Sequence, residues 1–379
     1  MNTYKFDIKH CLSFLLFFSL FFNTENNVFV FYIIFILNFI YLFFCLTSRL
    51  KLRVEPFIYL YCIFFFWCLV SVLWARNVDL VISMGFRMAI VVVAIFFTIN
   101  LQDKKNSIVK SGYYGLLFGV VVNVPLTLFG SLYISERFSG TTINPNHISL
   151  LSGFVIFLSI VNRKNLNKLI FISIIILSSY LIIQSGSRKG LILVFVSLCM
   201  LIFNISDRKI VTTYSFILTA FSFSLFIIFV NNLDYFSTLH PIFERLYDLT
   251  HINVNDLSKE GFGGDNSSRW RMIFIVEGFN IFQQYPFTGI GLDNFKTLYS
   301  EDLYSHNNYI EILSTLGLVG FIIYYSFCFY LLRPLLKGGK LLLLFMVAFF
   351  LSMDFAMVSY FERIYILPII YIFFFMAWY

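Results

Sequence analysis

Residues 169–205 read LIFISIIILSSYLIIQSGSRKGLILVFVSLCMLIFNI, two apolar runs separated only by Ser185, Gly186, Ser187, Arg188, Lys189 and Gly190. Each run is long enough to cross, or nearly cross, a hydrocarbon core. The six residues between them leave no room for a soluble loop. Two cations held at such a boundary are costly and mark a site where lipid gives way to water. The rest of the chain repeats this pattern. Of its 379 residues, 59% are hydrophobic and only 12% charged, more apolar surface than a soluble domain of this length could hide. Lipid is the expected solvent.

Working outward, Lys5 and Lys9 precede the run Cys11 to Phe22, which superficially resembles a signal peptide. The Asn-Thr-Glu-Asn-Asn that follows has no small-residue cleavage pattern, so this run is read as a retained first span. Further runs centre on 28–47, 57–74, 80–101, 112–132, 148–162, 169–184, 190–205, 211–230, 309–332, 341–357 and 365–379, making about twelve spans. The expected fold is all-α, a polytopic membrane helix bundle. Residues 1–230 carry spans one to nine, 231–308 form a large external loop domain, and 309–379 carry the last three. The six cysteines sit in apolar stretches and suggest neither a disulfide framework nor a metal cluster.

Basic residues recur after every second span, at Arg49/Lys51/Arg53, Lys104/Lys105/Lys110, Arg163/Lys164/Lys168, Arg208/Lys209 and Arg333/Lys337/Lys340, as the positive-inside rule predicts for cytoplasmic loops. Both termini are then cytoplasmic. The outer side keeps Arg76, Arg87, Arg137, Arg188, Arg245, Arg269, Arg271 and Arg363 against only three lysines. Arginine offers a planar, permanently charged fork of donors suited to phosphate or carboxylate, so its enrichment against the topological rule points to an anionic ligand. The alternative is snorkelling or pairing with carboxylates. The +7 formal charge is dispersed in short loops and does not indicate nucleic acid.

Four outward patches carry the chemistry. Arg137-Phe-Ser-Gly-Thr-Thr-Ile-Asn144-Pro145-Asn146-His147 stands at the entrance of a span, where Asn144, Asn146 and His147 can bond sugar hydroxyls or simply start a well-capped helix. Ser187, Arg188 and Lys189 supply hydroxyl and cations to a turn that suits a diphosphate, or a tight hairpin. Arg87, about two turns below the outer end of its helix, joins this argument as a buried ionisable residue. Ser267-Ser268-Arg269-Trp270-Arg271 opens a surface helix with an apolar stripe of Met272, Ile275, Val276, Phe279 and Phe282, ended by Pro286. Gly289-Ile-Gly291 beyond it reads by itself as a structural turn. Ser305-His306-Asn307-Asn308-Tyr309-Ile-Glu311 precedes the tenth span. His306 is read either as a polar helix-start residue or as an imidazole able to accept a hydroxyl proton.

In this order, Arg137-Phe-Ser-Gly with Asn144-Pro-Asn146, Ser187-Arg188, Ser-Ser-Arg269, Pro286-Phe-Thr-Gly289-Ile-Gly291, His306-Asn307 and Leu-Gly317-Leu-Val-Gly320 resemble the O-antigen polymerase and ligase superfamily of bacterial envelope glycan enzymes. The resemblance covers 137–320; the earlier spans match in hydropathy alone. It implies a bundle similar to GT-C-type glycosyltransferases, with one long periplasmic loop bearing amphipathic surface helices, in the bacterial inner membrane. It further implies metal-independent, inverting glycosyl transfer from an undecaprenyl-diphosphate-linked oligosaccharide on the periplasmic face. No cofactor is implied, and a chain-length regulator is an expected partner. By motif position the catalytic set is His306, Arg188 and Arg269, with Arg87, Arg137, Asn144, Asn146, His147, Ser187, Lys189, Arg271 and Asn307 binding substrate. Family members usually carry an aromatic four residues after the arginine, where this chain has Ile273, so Arg269 and Arg271 both stand for that role. The outer acids Asp265, Glu277, Asp293, Glu311 and Asp354 keep a divalent-metal alternative open.

Polymerase and ligase differ in acceptor, a second lipid-linked repeat unit or a lipid A-core sugar. The Ser-Gly-Ser-Arg-Lys-Gly and His-Asn-Asn-Tyr-Ile-Glu runs look more like the polymerases. A lipid-linked glycan flippase or transporter would also place arginines in such a bundle. It should then show internal symmetry and midplane polar residues, whereas here the polar residues crowd one face beside one long loop.

Overall fold

The computed structural model describes residues 8–22, 56–101, 107–134, 137–142, 144–204, 267–298 and 304–338, with scattered positions in 32–43 and 350–366; Arg188 and 267–269 are described by their backbone. The expected span over 211–230, that over 365–379 apart from Ile366, and the first part of the long connection with Arg245 lie outside these residues. The described residues are mostly helical. In chain order the helices are α1 Ile8–Ser19, α2 Pro56–Val70, α3 Val78–Leu101, α4 Ser107–Leu126, α5 Pro145–Val161, α6 Lys168–Ser185, α7 Arg188–Asn204, α8 Ser267–Gln284 and α9 Asn308–Gly338.

Four stretches are long and apolar enough to cross a membrane: Pro56–Leu73, Val78–Asn100, Lys168–Ser185 and Asn308–Tyr330. Four shorter apolar helices, His10–Phe22, Ser111–Leu126, Pro145–Ile160 and Lys189–Leu198, coincide with other expected spans. The run expected over 112–132 ends early as a helix, at Leu126. Pro125 lies in its last turn, and the chain then forms a two-stranded antiparallel hairpin, β1 Tyr133–Ile134 with β2 Arg137–Phe138.

The chain forms two compact units. One joins Met1–Leu16, Tyr32–Gly112 and Arg269–Tyr379. Here α9 packs on α2 and α2 on α3, around an aromatic cluster of Tyr61, Phe64, Tyr324, Phe327 and Tyr360. Val81, Met84, Met88, Val91 and Ile95 recur at helical spacing as the buried stripe of α3. Arg87 stands off that stripe, on the face of α3 that the protein leaves uncovered and within the apolar stretch Val78–Asn100.

The other unit joins Phe17–Phe31 and Tyr113–Ser268, with α5 packed against both α6 and α7. Ile148, Leu151, Phe154, Val155, Phe157, Leu158 and Ile160 are all buried, so α5 is enclosed on every side. Gly153 and Gly190 make this closeness possible. A Cβ on Gly190 would lie 2.0 Å from Ser149 Oγ, and one on Gly153 2.8 Å from a Leu193 methyl.

The α8 helix forms where expected, and it packs into the protein through Phe274, Gly278 and Ile281, against Ile290 and Phe295. Met272, Val276 and Phe279, the stripe legible in sequence, are 37%, 52% and 47% exposed. The helix is apolar on two sides, one packed inside the protein and the other left uncovered, as a stripe lying on a membrane surface would be.

Candidate active site

In the Phe17–Phe31 and Tyr113–Ser268 unit, two patches distant in sequence form one polar network. Asn144 caps α5, its side-chain oxygen accepting from the Asn146 amide at 2.9 Å, and Pro145 takes the first helical position. Asn146 Oδ1 then accepts from both Arg137 Nη2 (3.3 Å) and Ser187 Oγ (2.9 Å). Arg137 Nε donates to the Ser185 carbonyl at 2.9 Å, satisfying an orphan acceptor at the end of α6. Gly186, with φ +57, closes that helix in the left-handed conformation and leaves Ser187 as the sole further connector before α7. Arg188 and Lys189 are thereby fixed in the first turn of α7. His147 follows Asn146 in the first turn of α5, half-buried.

In the other unit, the glycine-rich motifs pack backbone to backbone. The α9 helix is broken at Gly317, whose φ of +68 and ψ of −170 lie in a region essentially confined to glycine. A break of this kind frees polar groups that lipid cannot satisfy. The 286–291 loop satisfies them: Ile290 and Gly291 amides donate to the Ser314 and Thr315 carbonyls at 3.0 and 2.8 Å, and the Leu318 amide donates to Pro286 O at 2.8 Å. Trp67 Nε1 donates to Leu316 O at 3.1 Å. Ser71, Trp74 and Asn77, at the end of α2, hold the loop from its other side through Leu292, Thr288 and Asn294.

His306 sits on the turn before α9. Asn307 Oδ1 caps that helix through the Ile310 amide at 3.1 Å. Ser305 Oγ donates to Asn307 O at 2.8 Å, and the Ser305 amide donates to Glu311 Oε2 at 3.0 Å. These bonds hold His306 at φ +54, a left-handed conformation that histidine visits more readily than most side chains. Its ring lies 4.1 Å from that of Tyr304 and 6.4 Å, nearly parallel, from that of Phe274. Tyr304 is 36% exposed overall, yet burial around it pushes its hydroxyl up to about 12, with Glu362 adding to the shift and Arg271 opposing it. Arg271 is thus among the charges that act on the ring packed against His306. Helix geometry agrees: at about 100° per residue, Arg271 lies about 60° around α8 from Phe274, whereas Arg269 lies about 140° away.

Below this turn is a buried network that sequence reading did not assemble. Asp354 Oδ2 accepts from Tyr325 Oη (2.8 Å) and Asn308 Nδ2 (3.2 Å), and Asp354 Oδ1 accepts from Ser359 Oγ at 2.5 Å. One carboxylate thus ties the first turn of α9 to a residue beyond its break. The aromatic Tyr304 and the amide-accepting role of Glu311 carry no local signature, since Glu311 stands four residues after the capping Asn307 and a capping box needs three. Among the described residues, no group of three or more His, Cys, Asp or Glu could hold a metal ion.

Of the expected site residues, Arg137, Asn144, Asn146, His147, Ser187, Arg188 and Lys189 belong to one unit, and Arg87, Arg269, Arg271, His306 and Asn307 to the other. Among the described residues, the Arg137 and Ser187 side chains both meet that of Asn146.

No curated protein matches the chain. The family model described as O-antigen ligase matches residues 173–325, less than half of the chain. The matched segment begins within α6 and ends within α9, so it includes Ser187, Arg188, Arg269, Arg271, the 286–291 loop, His306 and Asn307, but not Arg137 or Asn144. Members of this family are glycosyltransferase-like enzymes acting on lipid-linked glycans. Over residues 173–325 the chain is similar to the O-antigen ligase family, which supports its likeness to the superfamily of O-antigen ligases and polymerases.

Proposed function

We propose that this membrane protein is a glycosyltransferase that uses a polyprenyl-diphosphate-linked oligosaccharide on the outer side of the bacterial inner membrane, joining repeat units into a surface polysaccharide. The observation that carries this reading is a turn-fixed, aromatic-flanked His306 inside the matched family segment, whose sequence also holds Arg188, Arg269 and Arg271. His306 accepts the proton of the acceptor hydroxyl as its oxygen attacks the anomeric carbon. The C1–O bond to phosphate breaks on the opposite side, its electron pair leaves on the diphosphate, and the anomeric configuration inverts. Cations that neutralise the developing charge stabilise this transition state more than the ground state.

Arg188 and Lys189 suit that task. They stand in the first turn of α7, the end at which a helix dipole favours anions and disfavours cations. A bound diphosphate reconciles two cations with that position. Arg188 and Arg269 keep their assignment as diphosphate ligands from the family motif. Arg271, whose charge acts on the Tyr304 ring beside His306, supports a second guanidinium in the same role. Arg137, Asn146 and Ser187 shape the turn that carries Arg188, and Asn144, His147, Lys189, Arg87 and Asn307 complete the proposed substrate contacts.

The second reading is an O-antigen ligase, which transfers the finished lipid-linked glycan to lipid A-core; the description of the matching family favours it. The envelope glycan profile of a deletion strain separates the two. Core bearing a single repeat identifies a polymerase, and polymer left on its lipid carrier identifies a ligase. A normal profile overturns both and revives transport. Complementation with His306→Ala is expected to lose about 10²-fold or more in glycan transfer while the protein accumulates normally. Full activity from this variant would remove His306 as the base.

A further inference from the structure

We propose that Glu311 is a positioning residue for His306, acting as a hydrogen-bond acceptor and not as a charge. This inference rests on the reading of His306 as the base. Glu311 is 1% exposed and lies one turn into α9. Its Oε2 reaches back past the helix start to the buried Ser305 amide at 3.0 Å. That bond closes a loop whose other fastenings are Ser305 Oγ to Asn307 O and the Asn307 amide to Ser305 Oγ at 3.3 Å. His306 stands between the two residues that these bonds fasten, Ser305 and Asn307, and it bears the strained φ of +54. A left-handed non-glycine residue persists only where its surroundings over-determine it. Released from the Ser305 anchor, the backbone relaxes toward negative φ. The imidazole then swings away from the Tyr304 and Phe274 rings that fix its plane.

A carboxylate at this depth is also placed to act by charge. The charged neighbours that act on Glu311 are Asp293 and Lys296, and these two already pair with each other at 2.8 Å. The shape of the Ser305 contact therefore decides between the two roles. Glutamine presents an amide oxygen at the same reach. Aspartate keeps the charge but falls short by one methylene, about 1.5 Å, and cannot hold a 3.0 Å bond from the same backbone.

The test is transfer from a purified lipid-diphosphate-linked repeat unit by full-length protein in detergent, with thermal unfolding of each variant measured alongside. Glu311→Gln is expected within about 3-fold of wild-type kcat. Glu311→Asp and Glu311→Ala are expected to lose about 100-fold in kcat with KM for the donor unchanged, because misplacing a base by about 1 Å costs that much. The reverse order, an active aspartate and an inactive glutamine, overturns the proposal in favour of a charge role. Equal loss in all three variants with a matching drop in unfolding temperature overturns it in favour of packing. An inactive His306→Ala beside unaffected Glu311 variants sinks this inference and spares the base. A fully active His306→Ala sinks the base itself.

Discussion

The two polar turns at the helix ends are built on opposite principles. The 286–291 loop meets the break in α9 backbone to backbone, and its amides and carbonyls are used up in that contact. Gly289 and Gly317 face each other's strands so closely that a Cβ on either would lie 2.3 Å from backbone atoms. The 185–188 connector, in contrast, is held by the side chains of Arg137, Asn146 and Ser187. Backbone clamps tolerate almost no change and leave little to offer a ligand. Side-chain clamps are adjustable, and their donors can be shared with an anion. In a chain whose motifs look alike as strings of glycine and polar residues, the first kind is scaffold and the second is where a diphosphate contact is sought.

The largest expected effect tests the scaffold. Gly317→Ala puts a methyl group against the Phe287 carbonyl in a region of φ and ψ closed to alanine. Neither side can shift, because Trp67 and Ser71 pin the adjoining backbone from α2. A loss of about 4 kcal/mol or more is expected, seen as little folded protein recovered from membranes and a collapsed unfolding temperature in detergent. A well-folded, inactive Gly317→Ala protein would mean that the break serves ligand binding and that the contrast between the two turns is wrong.

Much of this was legible beforehand, for identifiable reasons. Hydropathy located the four long helices within a few residues, because lipid imposes one length on every span. The Asn144-Pro145 start of α5 and the two-residue connector at Gly186 and Ser187 follow from local chemistry. The break at Gly317 did not, since a glycine inside an apolar run is silent until its tertiary neighbour is known. The bond network joining Arg137 to Ser185 spans 48 residues of chain, and the contact of Tyr325 with Asp354 is likewise non-local. For α8, periodicity gives the helix and its exposed apolar stripe, while the second face, packed on Ile290 and Phe295, depends on partners the local sequence does not name.

A smaller effect is expected at the side-chain clamp. Arg137→Lys keeps the charge but loses the fork that bonds Ser185 O and Asn146 Oδ1 together. About 1–2 kcal/mol of stability should go, with the Ser187 to Asn146 bond left in place. Glycan transfer falls further than stability alone predicts if the same guanidinium helps hold the diphosphate. Unfolding and transfer measured on one preparation give the two numbers, and transfer that simply tracks stability would assign Arg137 to the scaffold, beside the glycines.

The smallest effect sharpens the comparison most. Asn144 was read from sequence as either a sugar contact or a helix cap, and its side-chain oxygen accepts from the Asn146 amide as a cap does. Replacing it with alanine should cost about 1 kcal/mol, the usual worth of such a cap, while replacement by serine or aspartate should restore most of that loss. Capping needs only an acceptor at that position, whereas a sugar contact needs the amide group itself, donor and acceptor together. The serine variant therefore divides the roles. Normal stability with a normal KM for the lipid-linked donor makes Asn144 a cap that merely steadies Asn146, and normal stability with a raised KM makes it part of the glycan's own contact surface.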